Sequence, residues 1–254
     1  MREVLRAEIG KGLRVQLAHP VGHVITLLIS TMMYLGLQFV LGQGELRQDL
    51  LPPTLVAIGG YWFLQYAGLV MVADLVEEKR AGTFAHSQMS PAPPWLPMLG
   101  RLITASVFGL GVAAVAALVP MLAARIVIPF HWAALLPATL LLINVLAFTL
   151  LMASLALVNP MIGALQSLFT SLVLLLNGSF LPLDLYPDWL AAAARVLPTT
   201  LGIEVLAETL FEGRGVAGVW TGGSLPWLLA HTLALVAVAG LLFVRNHRRA
   251  LESS

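Results

Sequence analysis

Few residues in this sequence are of a type that does chemistry. Glu77, Glu78, Lys79 and Arg80 form one run. Paired glutamates can act as an acid–base couple, but in a charged loop they read as the solvated end of a helix. His19 and His23 are four apart, a spacing that can face one metal ion on a helix. Pro20 intervenes, and the glutamate of a zinc-hydrolase pattern is missing, so they read as interfacial histidines. A phosphate-binding loop needs Gly-x-x-x-x-Gly-Lys-Ser/Thr, and neither lysine, Lys11 or Lys79, sits in that context. The chain is therefore not expected to hydrolyse ATP itself. There is no cysteine, which removes disulfides, thiolate chemistry and cysteine zinc sites. Gln65, Asn144, Gln166 and Asn177 are polar without charge; they line a route or hydrogen-bond neighbouring helices.

The elements that must position these residues belong to a membrane. Of 254 residues, 59% are apolar and 11% charged, against roughly 25% charged in a soluble domain. The mean hydropathy is +0.89, and so little charge cannot cover a water-soluble globule of this size. The net charge of +1 gives no basic surface for nucleic acid. Six stretches without Asp, Glu, Lys or Arg fall at about 21–40, 50–73, 102–124, 135–158, 161–181 and 226–244. Each is long enough to cross a bilayer, which takes about 20 helical residues. Their continuous Leu- and Ala-rich character argues for helices over alternating strands. The reading is an all-α integral membrane protein of six transmembrane helices in a single permease-like domain, 21–254, preceded by residues 1–20. In that leading segment Leu5, Ile9, Leu13 and Leu17 recur every fourth residue among charges, as on an amphipathic helix lying at the interface.

Orientation follows from Lys and Arg, which are retained on the cytoplasmic side. With both termini inside, 10 basic residues lie inside and 4 outside, while acids divide 6 to 7. Two connections are long, an inner one over 74–101 and an outer one over 182–225. Ser90-Pro91-Ala92-Pro93-Pro94 should end any helix begun at Asp74. Within the spans the only ionisable groups are His23 and His231, each near an end, which disfavours coupling to an ion gradient. Two stripes of small residues, Ala105/Gly109/Ala113/Ala117 and Gly163/Ser167/Ser171, allow close helix packing, within the chain or against another copy.

Two segments carry a resemblance. The inner one, Val76-Glu77-Glu78-Lys79-Arg80-Ala81-Gly82-Thr83-Phe84 followed by Met89-Ser90-Pro91, resembles the signature of type-2 ATP-binding-cassette export permeases. In that signature an acid and a base precede Gly-Thr-apolar, with Ser-Pro seven residues after the Thr. The matching positions are Glu78, Lys79, Gly82, Thr83, Ser90 and Pro91. The outer one runs Asn177-Gly178-Ser179-Phe180-Leu181-Pro182, then Pro187-Asp188-Trp189-Leu190 and Leu197-Pro198-Thr199-Thr200. It is similar to the family's outer loop of Gly-aromatic-x-Pro, Pro-x-Trp and Leu-Pro. From the residues themselves, Asp188 is suited to cap a short helix ending before Pro198, and Thr199 or Thr200 another running to Phe211 and stopped by Gly213. Their apolar content predicts that they dip back into the outer leaflet as re-entrant helices.

The resemblance implies the membrane subunit of an ATP-driven exporter in the plasma membrane. It places a coupling helix in the inner loop, docked on separate ATPase subunits that hold the ATP and Mg; no cofactor is implied in this chain. It also implies a second permease copy, identical or a sister chain. Glu78, Lys79, Gly82, Thr83, Ser90 and Pro91 would couple to the ATPase. Asn177, Gly178, Phe180, Pro182, Pro187, Trp189 and Pro198 would form an outer gate. Spans without charge favour a lipophilic or amphipathic cargo, such as a drug, natural product or lipid. The alternatives are a membrane scaffold or a lipid-acting enzyme, which would leave the paired motifs without a reason, and thirdly a secondary carrier.

Overall fold

The computed structural model describes residues 2–18, 20–82, 93, 95–159 and 161–252. Ten α-helices occur among them: α1 (Arg2–Leu17), α2 (Pro20–Leu41), α3 (Leu51–Arg80), α4 (Trp95–Ala123), α5 (Leu135–Ala156), α6 (Ile162–Leu176), α7 (Asp188–Ala194), α8 (Thr200–Leu210), α9 (Val216–Thr221) and α10 (Ser224–Glu252). Short 3-10 turns at Trp132–Ala134 and Leu183–Leu185 precede α5 and α7. No strand occurs among the described residues.

Five helices, α2 to α5 and α10, are long and apolar enough to cross a membrane. The expected span at 161–181 is instead the 15-residue α6, about 22 Å long at the usual rise and short of a hydrocarbon core of about 30 Å. It ends early because the chain turns at Asn177 and at Gly178, whose φ of +90° suits glycine.

Burial identifies the organising element. In α3, 72% of the apolar window is buried inside the molecule, against 17% in α2 and in α10. α3 packs on α4, α5, α6 and α8, while α10 packs on α5 and α1 on α4. The peripheral helices are inverted relative to a soluble protein. α2 turns Thr31, Tyr34 and Gln38 inward and leaves Ile29, Met32 and Val40 exposed. That polarity is stable only with lipid outside.

The helices also run on where the sequence suggested loops. α3 continues through Asp74, Glu77, Glu78 and Lys79 to Arg80, and α4 starts at Trp95, before Arg101. α3 ends at Gly82, with φ +67°, where Ala81 N–H donates to Glu77 O at 2.8 Å and Gly82 N–H to Lys79 O at 3.2 Å. This glycine stop precedes the prolines expected to do the stopping. The coupling helix expected after it, with Thr83, Ser90 and Pro91, lies outside the described residues, as does His19.

The small-residue stripes have separate fates. Ala105, Gly109 and Ala113 are buried in α4, and a Cβ on Gly109 would stand 3.0 Å from the Phe63 ring of α3. Gly163, Ser167 and Ser171 of α6 are exposed.

α1 lies against α4, with Leu5, Ile9 and Leu13 half-buried and Leu17 left outside the contact at 66% exposure. Gly12 permits the approach, since a Cβ there would sit 2.7 Å from Thr104 Cγ2. Gly12→Leu should therefore lift α1 from α4. Hydrogen exchange should show faster exchange of residues 2–17 with the spanning helices unchanged; wild-type protection of α1 would contradict the contact.

Candidate functional site

Charges from three helices converge near the C-terminal end of α3. Arg101 is the only charged residue of α4, and its side chain is 7% exposed. Its Nη2 donates to both Glu78 oxygens, each at 2.7 Å, and its Nε to Glu8 Oε1 at 3.0 Å. Lys11 Nζ donates to Glu78 Oε1 at 3.2 Å. Glu8 and Lys11 come from α1 and Glu78 from α3, so one guanidinium joins all three helices. Asp74, one turn before Glu78, lines the same small crevice with Gly12 and Thr104. Lys79 points the other way and donates to Leu157 O at the C-terminal end of α5, where a cation complements the helix dipole.

Just above this cluster a groove of about 420 Å³ opens between α3 and α6. Gln65 and Leu69 of α3 and Gln166, Ser167 and Thr170 of α6 line it, with Glu77 and Arg80 at its inner end. Gln65 and Gln166 thus line this groove. Asn144 and Asn177 bond neighbours instead. Asn144 Nδ2 donates to His231 Nδ1 at 2.9 Å and to Thr232 Oγ1 at 3.3 Å, and His231 Nε2 donates to Val196 O at 3.2 Å. The contact to Val196 O requires a proton on Nε2, because a carbonyl can only accept.

At the outer end Asn177 is fully buried. Its Nδ2 donates to Ala57 O of α3 at 3.2 Å, and its Oδ1 accepts from Ser179 N–H at 3.0 Å and Ser179 Oγ at 2.6 Å. Gln38 Nε2 of α2 donates to Phe180 O at 3.2 Å, holding the same turn from the other side. Gly178 and Pro182 line an outer cavity of about 430 Å³, shared with Asp49, Arg195, Glu204 and Glu208. Arg195 pairs two-pronged with Glu204, at 2.9 and 2.6 Å, locking the end of α7 to α8. That carboxylate raises the guanidinium's pKa further, and Arg47 holds the Asp49 carboxyl below its ordinary range.

The sequence model of the ABC-2 type transporter family matches residues 7–211. The chain belongs to that family. No curated protein matches it. The family is a permease domain and not itself catalytic. Among the described residues of this permease, no group of three or more His, Asp or Glu could hold a metal ion. His23, weighed as a ligand with His19, donates through Nε2 to Gln16 O at 2.9 Å and packs 5.0 Å from the Phe108 ring.

The permease brings its coupling candidates Glu78, Lys79 and Gly82 to the end of one helix. Its gate candidates separate. Asn177, Gly178, Phe180 and Pro182 share the turn after α6. Pro187 and Trp189 begin α7, with Trp189 72% exposed, and Pro198 is buried before α8. Two short helices form where the re-entrant pair is expected, α7 and α8, and α8 is buried between α3, α5 and α10. The capping expectation is corrected. Pro187 occupies the cap position ahead of Asp188; Thr199 does stand at the cap position of α8, but its hydroxyl, like that of Thr200, is buried and makes no capping bond.

Sequence reasoning missed Glu8 and Arg101. The available signals were a carboxylate beside Ile9 on the apolar side of α1 and the solitary charge of α4. Removing one partner of a buried pair leaves the other charge uncompensated. Arg101→Ala should accordingly destabilise the permease by about 3 kcal/mol, and Glu8→Ala added to it should cost little more. Unfolding in micelles measures both; independent, additive losses would mean that the two groups are not coupled.

Proposed function

We propose that the chain is the membrane subunit of an ATP-driven exporter, energised by separate ATPase subunits that carry ATP and Mg, and moving a lipophilic or amphipathic substrate out of the cytoplasm. The observation that carries this reading is the double use of α3. One uninterrupted helix holds the ion cluster at its inner end and a wall of the groove just above it. A displacement of the cluster by a docked ATPase therefore reaches the groove without an intervening joint. The charged end of α3 faces the cytoplasm with both termini, α6 and its turn complete a sixth crossing, and the protein resides in the plasma membrane. The turn at Phe180 with Trp189 serves as the outer gate.

A second permease copy packs on α6. Gly163 and Ser167 line the groove, and with Ser171 they present a small-residue face that the described residues leave exposed. Covering it converts a half-open groove into a chamber.

Two measurements test these readings. Glu78→Gln keeps shape and removes charge, so in vesicles containing the permease and its co-purified ATPase, substrate-stimulated ATP hydrolysis should fall about tenfold, within the usual range of intersite coupling. ATPase association should be retained; unchanged stimulation would defeat the coupling role. Because the chain has no cysteine, single-cysteine variants report proximity cleanly. Ser167→Cys or Ser171→Cys should crosslink two copies on oxidation, which requires Cα atoms within about 7 Å. Val107→Cys, on an exposed face of α4, should not. Equal crosslinking of all three would remove α6 as the interface.

A further inference from the structure

The groove contains a polar group that the fold leaves without a partner. Gln65 Oε1 is buried and accepts no hydrogen bond. Gln166 is 9% exposed and lines the same groove from α6. The groove's hydroxyls differ from Gln65. Thr170 Oγ1 donates to Gln166 O at 3.0 Å and Ser167 Oγ to Gly163 O at 3.0 Å, so each is satisfied by its own helix. Buried polar side chains nearly always have a partner, and an amide left over in apolar surroundings is costly. The Gln166 amide is also held in place: its Nε2 lies 2.5 Å from where a Cβ on Gly68 would be, so it rests directly on the α3 backbone. The remaining lining is apolar or carries one opposed pair of charges, Glu77 and Arg80, and has no net charge.

We infer that Gln65 and Gln166 are the specificity-determining residues of the groove and that they bind the uncharged, hydrogen-bonding head of an amphiphile. This rests on the groove being the substrate route. A cavity of about 420 Å³ is in the range of small-molecule sites. One glutamine amide accepts and donates at once, so carboxamide, lactam, ester or hydroxyl heads are matched. A quaternary ammonium offers no donor, and a carboxylate would meet Glu77 as well as Arg80 and gain no net charge compensation from the lining.

The test uses the full chain in nanodiscs and three fluorescent probes sharing one dodecyl chain, ending in a primary carboxamide, a trimethylammonium or a carboxylate. The carboxamide probe should bind most tightly. Gln166→Met, which keeps length and apolar volume, should weaken it about tenfold, the loss of roughly one hydrogen bond. Gln65→Met should act in the same direction, and neither should move the ammonium probe more than twofold. Tighter binding of either charged probe, or carboxamide binding unchanged in both variants, overturns the inference. Unaltered ammonium binding shows that the variants fold. ATP-dependent export in vesicles separates the two levels. Glutamine-dependent binding without export would defeat the exporter reading and leave the site. Export of the carboxamide probe at wild-type rate by both variants would defeat the site and leave the exporter.

Discussion

A guanidinium that is 7% exposed requires compensation from the protein. Arg101 receives it from two carboxylates on two other helices, Glu8 of α1 and Glu78 of α3. Neither carboxylate could be replaced by one on α4, which has no other charged residue. The arrangement of the inner side depends on this demand. Without it α1 would have only its half-buried apolar edge to hold it to α4, and its charges would favour water. Glycines at two contact points let the backbones come close enough for the ion pairs to form. A Cβ at Gly12 would collide with Thr104, and one at Gly100 would stand 3.0 Å from Glu8 Cβ. Charge and close approach are therefore one device.

What the cluster holds is one end of a long, unbroken helix. α3 has 30 residues, about 45 Å at helical rise. Its only prolines, Pro52 and Pro53, are in its first turn, where they do not interrupt hydrogen bonding. At its outer end Tyr34 Oη donates to Leu51 O at 3.1 Å, and six residues further on Asn177 binds Ala57 O. The groove wall from Gln65 to Arg80 lies between these fixtures and the inner end. A helix buried on most of its circumference moves as a body or not at all, so the groove shares any motion of the cluster.

The sequence disclosed the parts of this arrangement that depend on composition. Runs without charge located the spanning helices, and the Lys/Arg distribution drew attention to the segment around Glu78. The short helices at Asp188 and Thr200 were legible from Pro, Gly and Thr punctuation. Equating charge with loop hid the extensions of α3 and α4, because a helix need not stop where its apolar run does. Within the run 161–181 the helix is shorter than the run for the converse reason: Asn177 and Gly178 turn the chain inside an apolar stretch, using a buried side-chain network that composition does not register. Arg101 and Glu8 are 93 residues apart, and no local period pairs them. The two small-residue stripes looked alike as sequence. Only burial separates the one in α4, used inside the chain, from the one in α6, left open.

The two ends of α3 are fastened by different physics, and the difference sets which end can yield. The inner ties are ionic and border water, with Glu78 14%, Glu8 20% and Lys11 58% exposed. Of these, the Lys11 pair is the exposed kind that salt weakens, while buried Arg101 holds its two carboxylates. The outer ties are neutral hydrogen bonds from Asn177, fully buried, and Tyr34, 2% exposed. Each lies where a broken bond leaves an unsatisfied group in apolar surroundings. Added charge near Glu78 competes first with Lys11, whereas the neutral bond from Asn177 to Ala57 has no ionic competitor. The end of α3 that salt and charge can loosen is thus the one that carries Glu78, next to the segment from Gln65 to Arg80 that walls the groove.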